Sequence, residues 1–281
     1  MIEDRLIVGV VTPHTAAGPE VELPAMTSGR VATLVFRTGS PPGPSPAPSR
    51  TEPPAHAALR ASTELAAIDR AAFSFRGRTL TAVAHASTTS GYVIGHRDEA
   101  ATAERLSQRF GVPAVTSCAA VVAVLRTHGV GRVQLVHPPW FDDELDELGA
   151  AYFRGQGLDA VVTRAVGLPS DPARVEPQHV VDWVEHHVED RADAVFLAGN
   201  GFRAAAAVQE LELRTDRLVL EANQALLWGV LAAAGAAWDI TGHGRLLRAG
   251  TSTTQIGRRL RQQGVNEAGT QPARGPTPRL R

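Results

Sequence analysis

Short apolar stretches alternate along this chain with longer stretches of helical spacing, and that alternation limits the fold more than any other feature. Residues 6–11, 31–36, 80–84, 132–137, 159–163, 193–197 and 217–220 each read as a strand, rich in Val, Ile, Leu and Ala. Residues 55–72, 98–110, 142–153, 177–188 and the stretch from Glu221 through Leu231 read as helices. Thr116-Ser117-Cys118 caps another helix running through Leu125, and Ala204-Ala205-Ala206-Ala207-Val208 is helical as well. Strand and helix in turn predict an α/β fold whose parallel sheets are covered on both faces. The proline-rich run over residues 41–48 cannot be regular structure, so residues 39–54 are expected to form a loop. From Thr254 onward apolar residues almost vanish, which predicts a disordered tail.

Two of the strand ends stand out chemically. The first runs into Ser87-Thr88-Thr89-Ser90-Gly91-Tyr92, a cluster of hydroxyls and a glycine that opens the next segment. Ligands of open α/β sheets bind at the carboxyl ends of strands, and the N–H groups of such a turn can converge on an anion. The second runs into Ala198-Gly199-Asn200-Gly201, in the other half of the chain. Two such units facing each other would build one site from both halves. The loop after the first strand, Thr12-Pro13-His14, reaches the same rim.

Composition excludes several classes of function. A formal net charge of -1 gives no reason to expect nucleic acid or an anionic membrane as partner. Cys118 is the single cysteine, so neither an internal disulfide nor a cysteine-based zinc site is possible. No apolar run approaches a bilayer span, and a cytoplasmic protein is expected. His179, Glu185, His186 and His187 fit a solvated helix face better than a metal site, and no dinucleotide or phosphate-loop fingerprint is present.

The order of these features resembles the aspartate/glutamate racemase superfamily, in its maleate isomerase and arylmalonate decarboxylase branch. The residues that carry the resemblance are 87–91, 112–117 running into 121–133, Asn223-Gln224-Ala225-Leu226-Leu227-Trp228, and Gly242-His243-Gly244-Arg245-Leu246-Leu247. It implies two lobes related by pseudo-twofold symmetry, with a small carboxylate held in the cleft between them and no cofactor or metal. Residues 1–112 with 216–250 would form the first lobe and residues 113–215 the second, leaving 251–281 as the tail. A homodimer is expected by resemblance.

Members of this superfamily use a pair of cysteines, one at the end of each symmetry-related strand, to move a proton or add to a double bond. The matching positions here are Thr88 and Gly199. A threonine hydroxyl is far too weak a base to replace a thiol unaided, and glycine has no side chain. The decarboxylase branch lacks the first cysteine but keeps the second, so its pattern is matched only in part. In that branch the residues matching Thr89 and Ser90 resemble part of an anion pocket that stabilises an enediolate. Both are retained.

The candidate catalytic residues are therefore Thr88, Thr89, Ser90, Gly199 and Asn200, with His137 as the best placed proton donor at a strand end. Candidate substrate contacts are Pro13, His14, Gly91, Tyr92, Gly201, Asn223 and Cys118. His243 is a further rim candidate, Ala16 is the approximate match to a carboxylate-binding asparagine, and Pro139 or Trp140 replaces an expected tyrosine. Cys118 falls at a predicted helix N-terminus, which would lower its pKa, but on neither cysteine position. Two readings follow: a cofactor-independent lyase or isomerase of a small carboxylate, or a catalytically inactive relative that binds a small acid. An ionisable side chain near Thr88 and Gly199 would favour the first.

Overall fold

The computed structural model describes residues 5–38, 56–171 and 174–248, so the expected loop over 39–54 and the tail from 254 lie outside the described residues. The first half of the chain runs β1 (Leu6–Thr12), α1 (Pro19–Met26), β2 (Val31–Arg37), α2 (His56–Ala61), α3 (Leu65–Ser74), β3 (Ala82–His85), α4 (Thr88–Phe110), β4 (Ala114–Thr116) and α5 (Ser117–Thr127). The second runs β5 (Arg132–His137), α6 (Asp143–Gly155), β6 (Asp159–Ala165), α7 (Pro177–His187), β7 (Ala194–Leu197), α8 (Val208–Thr215), β8 (Leu218–Glu221) and α9 (Ala222–Ala234).

The strands form two parallel sheets in the orders β2-β1-β3-β4 and β6-β5-β7-β8, so the second repeats the first strand for strand. Helices cover both, which is why β3, β7 and β8 are buried along their whole length and consist almost entirely of apolar residues. In each sheet the chain leaves the first strand to one side and returns on the other. The crevice at that reversal lies at the carboxyl ends of β1 and β3 in one lobe and of β5 and β7 in the other.

Three features depart from the sequence reading. Helix α1 carries no apolar period and was not expected; it starts with Pro19 at its first turn and buries Glu22, Leu23 and Met26. The expected helix over 55–72 is two helices, because the Ser62 and Thr63 hydroxyls donate to the carbonyls of Leu59 and Arg60 and close α2. Helix α4 begins at Thr88 rather than at 98, with Gly95 at φ 76° interrupting it.

The lobe boundaries also move. The strand β4 pairs with β3, and β8 pairs with β7, so 114–116 belongs to the first sheet and 218–221 to the second. Each closes a strand-helix-strand crossover, β3-α4-β4 and β7-α8-β8, and such a unit stays in one sheet. Only after β8 does the chain return, when α9 packs on α1, α5, β3 and β4. Residues 222–233 of α9 are all buried, as expected of a helix apolar around its whole circumference.

Candidate functional site

At the end of β3, Ser87 caps α4 by accepting from the Ser90 N–H at 3.0 Å, because a serine oxygen can satisfy a helix-end donor that has no carbonyl partner. The same Oγ donates to Ser90 Oγ at 2.8 Å and lies 3.1 Å from Thr89 Oγ1. Ser62, from the α2–α3 turn, places its hydroxyl 3.3 Å from Ser90 Oγ. His14 Nε2, from the loop after β1, lies 3.4 Å from Thr89 Oγ1. Burial and the nearby Arg37 guanidinium hold the His14 imidazole down to about 4, so the ring is neutral at neutral pH. Hydroxyls from two segments and the imidazole of a third thus gather at a helix N-terminus, where the dipole and the helix N–H groups favour negative charge.

The turn after β7 meets this cluster directly. Thr88 N–H donates to Asn200 Oδ1 at 3.2 Å, Ser117 Oγ donates to the same oxygen at 3.0 Å, and Gly199 N–H donates to Thr88 Oγ1 at 3.2 Å. Behind it, Asn200 Nδ2 donates to Asn223 Oδ1 at 2.8 Å, while Asn223 Nδ2 donates to the Asn200 carbonyl at 2.9 Å and to Glu22 Oε2 at 2.6 Å. The other Glu22 oxygen accepts from Ala205 N–H at 2.9 Å. Gly18 is needed for this approach, since a Cβ there would lie 1.8 Å from the Asn200 carbonyl oxygen. Ala16 comes to the same turn, 3.4 Å from where a Gly201 side chain would begin.

Thr88, Thr89, Ser90, Gly199, Asn200, Asn223, His14 and Gly201 are therefore brought together, with Pro13 buried beside them in the first loop. Sequence reasoning missed Glu22. Its one local signal is a carboxylate four residues before Met26, on the face of α1 that turns inward. Burial pushes the Glu22 carboxyl up to about 7, against the pull of its two donors and of Arg203.

His137 goes elsewhere. Its Nδ1 is 2.5 Å from Asp146 Oδ1, its Nε2 is 3.2 Å from Tyr92 Oη, and its ring packs 4.9 Å from that of Phe141. None of its hydrogen bonds reaches the two turns, and it ties α4 to α6 instead, with Tyr92 facing the same way. Burial lowers its pKa although Asp146 works in the opposite direction.

Cys118 lies behind the first turn and donates from Sγ to the Thr88 carbonyl at 3.4 Å. A side chain at Gly91 would meet that sulfur at 2.8 Å. The helix N-terminus does not lower its pKa as expected: burial and the Glu99 carboxyl push the thiol well up. His243 contributes its carbonyl, not its ring, by accepting from Gln224 Nε2 at 2.6 Å. On α7, His186 and His187 bond to the carbonyls of Asp182 and Trp183, and His179 closes the helix cap. Among the described residues no group of three His, Cys, Asp or Glu side chains is placed to hold a metal ion, and no helix is long and apolar enough to cross a membrane.

The arylmalonate decarboxylase family profile matches residues 62–247, which include the Thr88 turn, the Gly199 turn and Asn223. The chain belongs to the arylmalonate decarboxylase family. The arylmalonate decarboxylase of Bordetella bronchiseptica is 29% identical over 164 residues, covering 57% of this chain and 68% of that protein. The crystal structure of the maleate isomerase Iso from Pseudomonas putida S16 superimposes with a TM-score of 0.74 at 22% identity, over 88% of this chain and 99% of the other. A crystal structure of arylmalonate decarboxylase gives 0.69 at 22%, over 86% and 98%. These likenesses establish the two-sheet fold. In this member of the arylmalonate decarboxylase family, the junction of the two turns is built from amides, hydroxyls and backbone N–H groups, with the buried carboxyls of Glu22 and Glu221 behind it.

Proposed function

We propose that this arylmalonate decarboxylase family protein is a cofactor-independent lyase or isomerase of a small carboxylate or dicarboxylate that works without a cysteine pair. The observation that carries the reading is the hydroxyl cluster of Ser62, Ser87, Thr89 and Ser90 at the start of α4, with His14 against it. In a decarboxylation the C–C bond breaks, carbon dioxide leaves, and the electron pair spreads into the remaining carboxylate as an enediolate. Preorganised donors aimed at that charge lower the barrier, each worth about 3 kcal/mol. Thr89 and Ser90 are assigned this role, together with the N–H groups of Thr88 and Gly199, for which a substrate carboxylate would compete. His14 is assigned to proton handling, as the ionisable ring in contact with the cluster.

The family's structural neighbours support a carboxylate as ligand. A cysteine variant of the Pseudomonas isomerase was solved with maleate, and a variant of the Nocardia farcinica maleate cis-trans isomerase carries a covalently bound succinylcysteine intermediate. That covalent route needs a thiol in the cleft. Here the one cysteine is fully buried behind Thr88, which favours chemistry through the anion pocket. From the sequence we also place the protein in the cytoplasm, and by family resemblance we take it as a homodimer.

The test is proton NMR in heavy water of the purified protein with maleate, substituted malonates, aspartate and glutamate. Deuterium incorporation, isomerisation or loss of carbon dioxide is expected, falling on the order of 100-fold in Thr89→Val and in Ser90→Ala. Line broadening of an acid with no turnover would replace this reading with the second one, a protein that binds a small acid without transforming it. The direct Thr88–Gly199 bond and the bare Gly199 are what favour that alternative.

A further inference from the structure

Among the described residues Glu22 is the one carboxylate that accepts from a side-chain amide of the network joining the two turns, and its surroundings leave little freedom in how that network can be oriented. Ala205 N–H is a backbone donor and cannot be reversed, so Glu22 Oε1 must accept. Oε2 accepts from Asn223 Nδ2, which directs the Asn223 amide nitrogen toward α1 and leaves Asn223 Oδ1 as the acceptor for Asn200. The Asn200 amide then has its nitrogen committed, and its Oδ1 faces Thr88 N–H and Ser117 Oγ. Each step follows from the one before because an amide has one accepting and one donating end.

We propose that Glu22 is a positioning residue of the inter-lobe site, whose carboxylate sets the orientation of the Asn223 and Asn200 amides and thereby which donors of the α4 N-terminus face the cleft. The proposal rests on the reading of this junction as the carboxylate site. Glu221 and Arg203 bear on the charge of Glu22. Glu221 caps α9, accepting from the Asn223 and Gln224 N–H groups through Oε2, while its Oε1 has no hydrogen-bond partner among the described residues. Arg203, in the loop after β7, favours the ionised form, and on α1 itself Glu20 is engaged by Arg37 of β2. Burial raises both Glu22 and Glu221, and repulsion from Glu22 raises Glu221 further, so Glu22 is the one that changes charge near neutrality. Protonation sets a donor against one of the two donors it now accepts from, and the orientation of Asn223 loosens.

The sequence contains three asparagines, Asn200, Asn223 and Asn266, which makes the test direct. Protein labelled with nitrogen-15 at asparagine shows three side-chain amide pairs, and Asn266→Gln identifies the pair that belongs to neither Asn200 nor Asn223. The Asn200 and Asn223 pairs are expected to shift together through one midpoint near pH 7 in the unmodified protein and to lose that titration in Glu22→Gln. Amides that hold still from about pH 5.5 to 9, or a titration that persists in Glu22→Gln, would overturn the proposal. The unmodified protein alone decides the first of these, so a poorly folded variant leaves the test standing. The readout needs no turnover: inactivity toward the carboxylate panel would count against the proposed reaction and not against the role of Glu22.

Discussion

Gly199 has φ +91°, a conformation that side chains resist, and a Cβ on it would lie 2.4 Å from Pro138 Cγ. The space that a side chain at this position would need is filled by Pro138. Gly199→Cys is therefore expected to lower stability by at least about 2 kcal/mol, measured by urea denaturation, and to yield no reactive thiol. Thr88→Cys changes little volume and gives up one hydrogen bond from Gly199 N–H, which predicts a loss of about 1 kcal/mol. If both variants cost the same, the backbone argument at Gly199 is wrong. The same residue-level reading separates His14 from His137, because only the former touches a hydroxyl of the anion cluster.

Helix α4 is the element on which the site depends. Its first turn supplies Thr88, Thr89 and Ser90, and its cap Ser87 holds both the helix end and the hydroxyl cluster. Ser87→Ala should cost about 1 kcal/mol in chemical denaturation for the lost cap. It also removes the partner of two hydroxyls, so a carboxylate that binds here should bind more weakly in Ser87→Ala, read from NMR line broadening. Further along, Tyr152 of α6 donates to Glu99 of α4, and Tyr92 of α4 meets His137 of β5. These buried contacts join α4 to α6 and β5, and they account for Tyr92 and His137, which sequence reading had assigned to chemistry.

For the molecule as a whole, buried ionisable groups pull stability in opposite directions with pH. Burial depresses His14 and His85 to about 4 from 6.5, so their contribution is present above pH 6.5 and is lost as pH falls toward 4. Burial raises Glu22 from 4.5 to about 7, so its contribution is complete below pH 4.5 and is lost as pH rises through 7. Glu99 and Glu221 are raised in the same sense. A displacement of the size seen at Glu22 is worth about 3 kcal/mol. Comparing Glu22→Gln with the unmodified protein removes the histidine contributions, which are common to both. The variant should gain about 3 kcal/mol relative to the unmodified protein between roughly pH 4.5 and 8, measured by urea midpoints, and a flat difference would show that Glu22 does not titrate there.

The sequence by itself determined the α/β class, most of the strands, and the two turns. Those features rest on local chemistry: apolar, often β-branched runs suit buried strands, and Ser87 lies next in the chain to the helix it caps. The tertiary structure alone decided that Thr88 and Gly199, 111 residues apart, touch, and that Glu22 reaches Asn223 across 201 residues. It also decided that β4, three residues long and too short to show a period, completes the first sheet. No local pattern could announce these, because the partner that makes each group functional is remote in the chain. His137 stands at a strand end as expected, but only packing could show that both its ring nitrogens were already taken.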